Sequence, residues 1–246
     1  MGAVAAAAGG ALLGTGAAVA LACWTGFGSR SQVCGPFPYR AADPNAQKVV
    51  ALSFDDGPNE PYTSRLLDVL DRHEVRATFF QVGRCAERFP SATRRVVESG
   101  HVLGNHSLSH AFGSYLREPA QRTEIARGQE VLHRVAGVAP ALYRPPWLCH
   151  WPWVLGSVAR AGLQVASGTF GHPLEVFQPP ATLMAAGAAR RTSPGTILIM
   201  HDGRESRGGP RHQTVAAVAP LIDRLRERGY AFATVDQLLG VRPYLP

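Results

Sequence analysis

The sequence is almost without lysine. Lys48 is the only one among 25 basic residues, and all the others are arginines. No more than two of these stand together, as at Arg94-Arg95 and Arg190-Arg191. There is no basic run of the kind that tracks a phosphate backbone, so nucleic acid is not an expected partner. Charged residues are also scarce, at 17% against 46% hydrophobic, which excludes a solvated disordered chain of 246 residues. Glycine and proline recur without a period, which excludes collagen-like and solenoid architectures. The four cysteines (Cys23, Cys34, Cys85, Cys149) show no CxxC spacing, which argues against a structural zinc site. Cys85 and Cys149 either pair in an oxidising compartment or stay as buried thiols.

Charge is missing altogether from residues 1–29; the first charged side chain is Arg30. Such a stretch can span a bilayer core of about 30 Å. It also fits the apolar region of a secretory signal. The positive residues that normally precede such a region are absent, so its orientation is weakly specified. Residues 1–29 are therefore expected to be a signal peptide or membrane anchor. The chain is expected to be exported, either secreted or held at the cell surface. Ala20-Leu21-Ala22 before Cys23 fits a small-x-small cleavage site, but Ala20 suits a lipoprotein signal poorly. Residues 30–46, with Gly35-Pro36, Pro38 and Asp43-Pro44, read as a linker. Residues 47–246 are long enough for one domain, expected to act as a monomer. The formal net charge of +7 suggests an acidic polymer such as a cell-wall glycan as its partner.

Within the domain, short apolar runs alternate with helical patterns. Strands are expected at Val49–Phe54, Ala77–Val82, His101–Asn105, Ala141–Tyr143, Leu163–Ala166, Thr196–Met200 and Tyr230–Val235. Helices are expected at Thr63–His73, Ser91–Ser99, Glu118–Val135, Trp153–Ala161, Ala181–Arg191 and Thr214–Arg228, with Thr63 as an N-cap. Seven strands interleaved with helices imply a parallel α/β sheet, closed or nearly so. No glycine-rich fingerprint follows the first strand, which argues against a dinucleotide fold.

Titratable residues gather at the expected strand ends, where α/β sheets and barrels place their active sites. Asp55-Asp56 follows the first strand. His106 and His110 sit four apart, the spacing at which one helical turn presents two metal ligands. Arg144-Pro145-Pro146-Trp147 presents a permanent cation on a stiff loop. His201-Asp202 ends the most apolar strand. Each group alone has an ordinary structural explanation, as a turn former, an ion pair or a core histidine. Their gathering at one end of one sheet does not.

These segments, in this order, resemble the motifs of the polysaccharide deacetylases with a NodB-homology domain, carbohydrate esterase family 4. Ser53-Phe54-Asp55-Asp56-Gly57-Pro58 is similar to the first motif, and His106-Ser107-Leu108-Ser109-His110 to the second. Arg144-Pro145-Pro146-Trp147 is similar to the third and Ile199-Met200-His201-Asp202 to the fifth. The resemblance runs from about Val49 to Leu239 and implies a distorted (β/α)7 barrel. It implies that Asp56, His106 and His110 bind one divalent metal, zinc first, with cobalt, nickel and manganese also accepted. Asp55 is then the general base, steadied by Arg144, and His201 the general acid. The Trp147 main-chain N–H faces the oxyanion. Pro145, Ile199 and Trp147 are expected to contact substrate. The implied reaction is removal of acetyl groups from an N- or O-acetylated polysaccharide such as peptidoglycan or a chitin-like glycan. The alternatives are a non-carbohydrate amide hydrolase of the same fold and a catalytically silent surface glycan-binding protein.

One region departs from the family. Its fourth motif usually supplies an aspartate and a tryptophan after the sixth strand. Here Ser167 to Phe177 contains neither. Glu175 is the only carboxylate between Leu163 and Thr196, so it is expected either to pair with Arg144 or to lie in the substrate cleft. Phe170 or Phe177 is expected to supply the apolar wall, and His172 is without a role. Trp147, Trp151 and Trp153 cluster after the third motif, and aromatic faces suit sugar rings.

Overall fold

The computed structural model describes residues 20–41 and 48–246. Most of the segment expected to be a signal or anchor, and part of the expected linker, lie outside the described residues. Among the described residues no helix is long and apolar enough to cross a membrane.

Residues 20–27 are helical (α1). Beyond them a parallel sheet is built on β1 (Val49–Asp55), whose residues are buried from Val50 to Asp55. β2 (Thr78–Gln81), β3 (Val102–Asn105), β4 (Leu142–Tyr143) and β5 (Gln164–Val165) follow on one side. β7 (Ile197–His201) and then β6 (Thr169–Phe170) follow on the other, and β8 (Ala231–Ala233) pairs with the start of β1. Every pairing between these strands is parallel. β5 and β6 form the two open edges yet are separated by only three residues, so the chain itself joins the edges of the curled sheet. This is the distorted barrel expected, with one strand more than the seven counted. β6 is two residues long, too short to leave an alternating or continuous apolar pattern.

The helices pack around this sheet in the order α2 (Tyr62–Arg72), α3 (Gly83–Arg88), α4 (Pro90–Glu98), α5 (Glu118–Ala136), α6 (Pro152–Arg160), α7 (Ala181–Arg191), α8 (His212–Glu227) and α9 (Val235–Leu239). The largest apolar cluster joins Leu52, Phe54 and Leu198 of the sheet to Leu66, Leu70, Leu221 and Leu225 of α2 and α8. Thr63 does not cap α2. Its hydroxyl instead accepts the Asn59 N–H and donates to the Asp202 carboxyl. All four cysteines are free, and of them Cys85 and Cys149 are buried.

Residues 30–41, the described part of the expected linker, lie against the barrel together with Ser29. Phe37 is fully buried with Leu148 and Ile199 and stacks on His150 at 4.3 Å. The Pro38 carbonyl accepts the Ser167 N–H at 2.7 Å, and the Ser29 carbonyl accepts the Ser167 hydroxyl at 2.6 Å. The segment thus covers the seam where β5 runs on into β6. The turn residues that suggested a linker are real, but they serve to bring an apolar side chain inward. Phe37→Ala is expected to cost about 3–5 kcal/mol, the usual loss for a buried phenylalanine, read by urea unfolding. A loss under about 1 kcal/mol would mean that the segment contributes no more than a linker does.

Candidate active site

Four strands deliver chemistry to the same end of the sheet. β1 ends in Asp55, which pairs in register with His201 at the end of β7 and with Phe80 near the end of β2. β3 leads into His106, and β4 into Arg144. Arg144 has no solvent exposure and turns its guanidinium into the barrel. One terminal nitrogen donates to Asp55 Oδ1 at 2.6 Å and to Ser53 Oγ at 2.8 Å. Nε donates to the Ala166 carbonyl at 3.2 Å, and the other terminal nitrogen to the Ser167 carbonyl at 2.8 Å. The guanidinium lies 4.0 Å from the centre of the Phe80 ring. Burial lowers its pKa while the Asp55 carboxylate opposes that shift. A buried cation is tolerable only when paired and hydrogen-bonded in this way.

The backbone of the same arginine reaches the next group. His106 Nδ1 lies 2.7 Å from the Arg144 carbonyl, an oxygen that can only accept. Nδ1 therefore carries the proton, and Nε2 offers a lone pair. That Nε2 is 3.3 Å from Asp56 Oδ1, and His110 Nε2 is 3.1 Å from the same oxygen. The three buried donors lie within 4.8 Å of one another. Burial alone would raise the Asp56 carboxyl. The contacts with His106 and His110 and the charges of His110 and His201 outweigh it and hold the group well below the usual carboxylate range. Ligands of tetrahedral zinc at about 2.1 Å stand about 3.4 Å apart. The two observed separations match that spacing, and two nitrogens with one oxygen form a donor set suited to a divalent metal. The histidine spacing was expected from a helical turn, and the structure does not place it on one. Residues 106–110 form a loop in which Ser107 and His110 have left-handed backbones, at φ 71° and 56°. Ser109 anchors the loop by donating twice to the Glu124 carboxylate of α5.

Opposite the triad stands His201. Its backbone N–H donates to Glu175 Oε1 at 2.9 Å, and its Nδ1 meets Glu175 Oε2 at 3.1 Å. Thr214 Oγ1 donates to Oε1 at 3.0 Å. Burial pulls the imidazolium down, but the Glu175 carboxylate, with Asp56 and Asp55 behind it, raises His201 to about 9. Glu175 is itself buried. The expected alternatives for this residue, a pair with Arg144 or a place in the cleft, are both replaced. Its two oxygens are committed to His201 and Thr214, while Arg144 is satisfied by Asp55 and two carbonyls from the barrel seam.

A cleft opens over these groups, lined by Asp56, His106, His110, Trp147, Phe170 and His201, with Leu148, Val176, Arg204, Glu205 and Arg211 completing its wall. Trp147 packs edge-on to His110 at 4.2 Å. Phe170 supplies the apolar wall and stacks on His201, whereas Phe177 is 77% exposed and takes no part. Three expected residues are not on the wall. Asp55 and Pro145 are buried, and Ile199 packs beneath with Phe37 and Leu148. His172 lies outside the cleft and accepts the Leu174 N–H. Arg204, Glu205 and Arg211 were not foreseen. They sit in the loop that follows β7, and that strand-end position was the available signal.

The model of the polysaccharide deacetylase family matches residues 42–166. The chain is 32% identical to a peptidoglycan-N-acetylglucosamine deacetylase of Bacillus cereus, over 80% of this chain and 90% of the relative. It is 31% identical to a chitooligosaccharide deacetylase of Sinorhizobium fredii, over 76% and 90%. It superposes on a family 4 acetyl xylan esterase from Clostridium thermocellum, solved with a cobalt ion, with a TM-score of 0.71, 34% identity and coverage of 80% and 94%. The chain belongs to the polysaccharide deacetylase family and is a hydrolase of that family.

The Glu175–His201 pair has a titration signature. The folded value of His201 is raised above the ordinary 6.5, so the pair stabilises the fold fully below that pH. The contribution is lost as the pH rises through about 9. In Glu175→Gln the His201 ring is expected to titrate at least one unit lower by NMR. An unchanged midpoint would remove the glutamate as the cause.

Proposed function

We propose that the chain is a metal-dependent deacetylase of an exported N-acetylated glycan, peptidoglycan or a chitin-like polymer. The observation that carries this is the convergence of the Asp56, His106 and His110 donor atoms on one cleft wall, facing the His201 imidazole. The names of the relatives support the substrate class, and the uncharged segment 1–29 supports export. The cobalt in the related esterase supports one divalent ion, with zinc the first choice from the donor set.

Asp56 Oδ1, His106 Nε2 and His110 Nε2 would hold the metal. Bound there, it supplies a Lewis acid toward the acyl oxygen and lowers the pKa of water. Asp55 takes the proton from the attacking water. Its Oδ1 is clamped by Arg144, and its other oxygen has no protein hydrogen bond among the described residues. As the water oxygen bonds to the acyl carbon, the carbonyl oxygen gains negative charge, and the Trp147 N–H donates to it. The C–N bond then breaks, and His201 gives its Nε2 proton to the departing nitrogen. Glu175, holding Nδ1, keeps Nε2 turned to the cleft and the ring protonated at neutral pH. The products are acetate and a free amino sugar.

Asp55→Asn is expected to retain one metal per chain and to lower kcat by about 10²–10⁴, the usual worth of a positioned proton-transfer group. His201→Ala is expected to lose more on an acetamido sugar than on an activated acetyl ester, because an amine leaves only once protonated. Metal analysis and paired kinetics check both variants. Equal loss on the two substrate types would contradict the acid role, and full activity in Asp55→Asn the base role.

A further inference from the structure

Two arginines on the cleft wall have no carboxylate of their own. Arg211 is only 2% exposed, and its Nε donates to the Gly203 carbonyl. Its terminal nitrogens make no hydrogen bond or ion pair among the described residues. Arg204, exposed at the rim, makes none either. Arg144, the other deeply buried arginine, engages all three of its nitrogens.

The carboxylates nearby are spoken for. Asp56 is engaged by the two histidines, and Glu205 pairs with Arg207 at 3.3 Å. Glu175 attracts Arg211 through space, but both its oxygens are held by His201 and Thr214. Burial lowers Arg211, which expresses the cost of keeping this cation without a contacting anion. Both side chains line the same cleft as the metal-binding donors.

We infer that the cleft selects an acetylated sugar that also carries a carboxylate, as the lactyl ether of N-acetylmuramic acid does, with Arg211 and Arg204 receiving that group. A neutral chitin-like chain would cover Arg211 and leave it unpaired. A carboxylate would gain charge-assisted hydrogen bonds from a planar fork already held in place through Nε. The inference rests on the deacetylase reading and narrows its substrate.

The test uses the full chain loaded with zinc and carrying Asp55→Asn, so that sugar stays intact. Calorimetry compares a disaccharide of N-acetylglucosamine and N-acetylmuramic acid with its lactyl methyl ester. The acid is expected to bind about tenfold tighter or more, the worth of a hydrogen bond to a charged group. Arg211→Met should abolish that preference. Arg204→Ala, at an exposed position that does not threaten folding, should reduce it severalfold. Equal affinity for acid and ester, a preference that survives both substitutions, or binding of neither sugar would overturn the inference. Acetate release by the Asp55-intact chain from neutral N-acetylglucosamine oligomers, without any preference for the acid, would overturn it while leaving deacetylation standing. Acid-selective binding with no acetate release from any sugar would do the reverse.

Discussion

A single buried cation ties the active end of this barrel together. The Arg144 guanidinium holds Asp55 at the end of β1 and the carbonyls of Ala166 and Ser167 where β5 gives way to β6. Its own carbonyl fixes the tautomer of His106 at the end of β3. The proposed base, the barrel seam and one nitrogen of the proposed metal site therefore share one residue. Ser167 is in turn held from outside by Ser29 and Pro38, so residues 29–41 brace the same arginine at one remove. Breaking a buried pair of this kind typically costs about 3–5 kcal/mol, because the surviving charge has nowhere to go. Lysine could not replace Arg144, since a point ammonium cannot meet four acceptors spread around a plane.

The loops around this arginine are held in costly conformations. Asp56, Ser107, His110, Trp147 and Leu148 all have left-handed backbones, which non-glycine residues adopt at a cost of order 1–3 kcal/mol each. They persist because their surroundings leave no alternative. The turns after β1 and β7 pack so closely that a Cβ at Gly57 would meet the Asp202 carboxylate, and one at Gly203 the Asp56 backbone. Asp202, buried behind them, is raised to about 7 by burial, with Asp56 and Asp55 adding to the shift. The apolar core below, from Leu52 and Phe54 to Leu221 and Leu225, supplies the stability that this end draws on.

What the sequence disclosed, and what it withheld, follows from the range of the forces involved. Buried parallel strands such as Val49–Asp55 and Ile197–His201 read as continuous apolar runs, and their ends pointed to Asp55, Asp56 and His201. The spacing of His106 and His110 pointed to a ligand pair but to the wrong local shape. A four-residue interval suits a helix, whereas the backbone here is set by left-handed residues and by Glu124 of a distant helix. Glu175 was singled out correctly as the odd carboxylate, and its partner was misjudged. Arg144 found carbonyls from the barrel seam, which no sequence pattern announces. Phe37 was hidden inside turn chemistry that reads as a linker. Arg204 and Arg211 carried only their position after β7. Local order was legible, and pairings across the barrel were not.

The claim on which the account stands is that three protein donors build one metal centre that the chemistry requires. Its most direct test is a titration of the metal-free full chain with zinc while acetate release from an N-acetylated sugar oligomer is followed. Activity should be absent at the start, rise in proportion to added zinc and level off at one equivalent per chain. Full activity before any metal is added, or a plateau reached only at two equivalents, would contradict it.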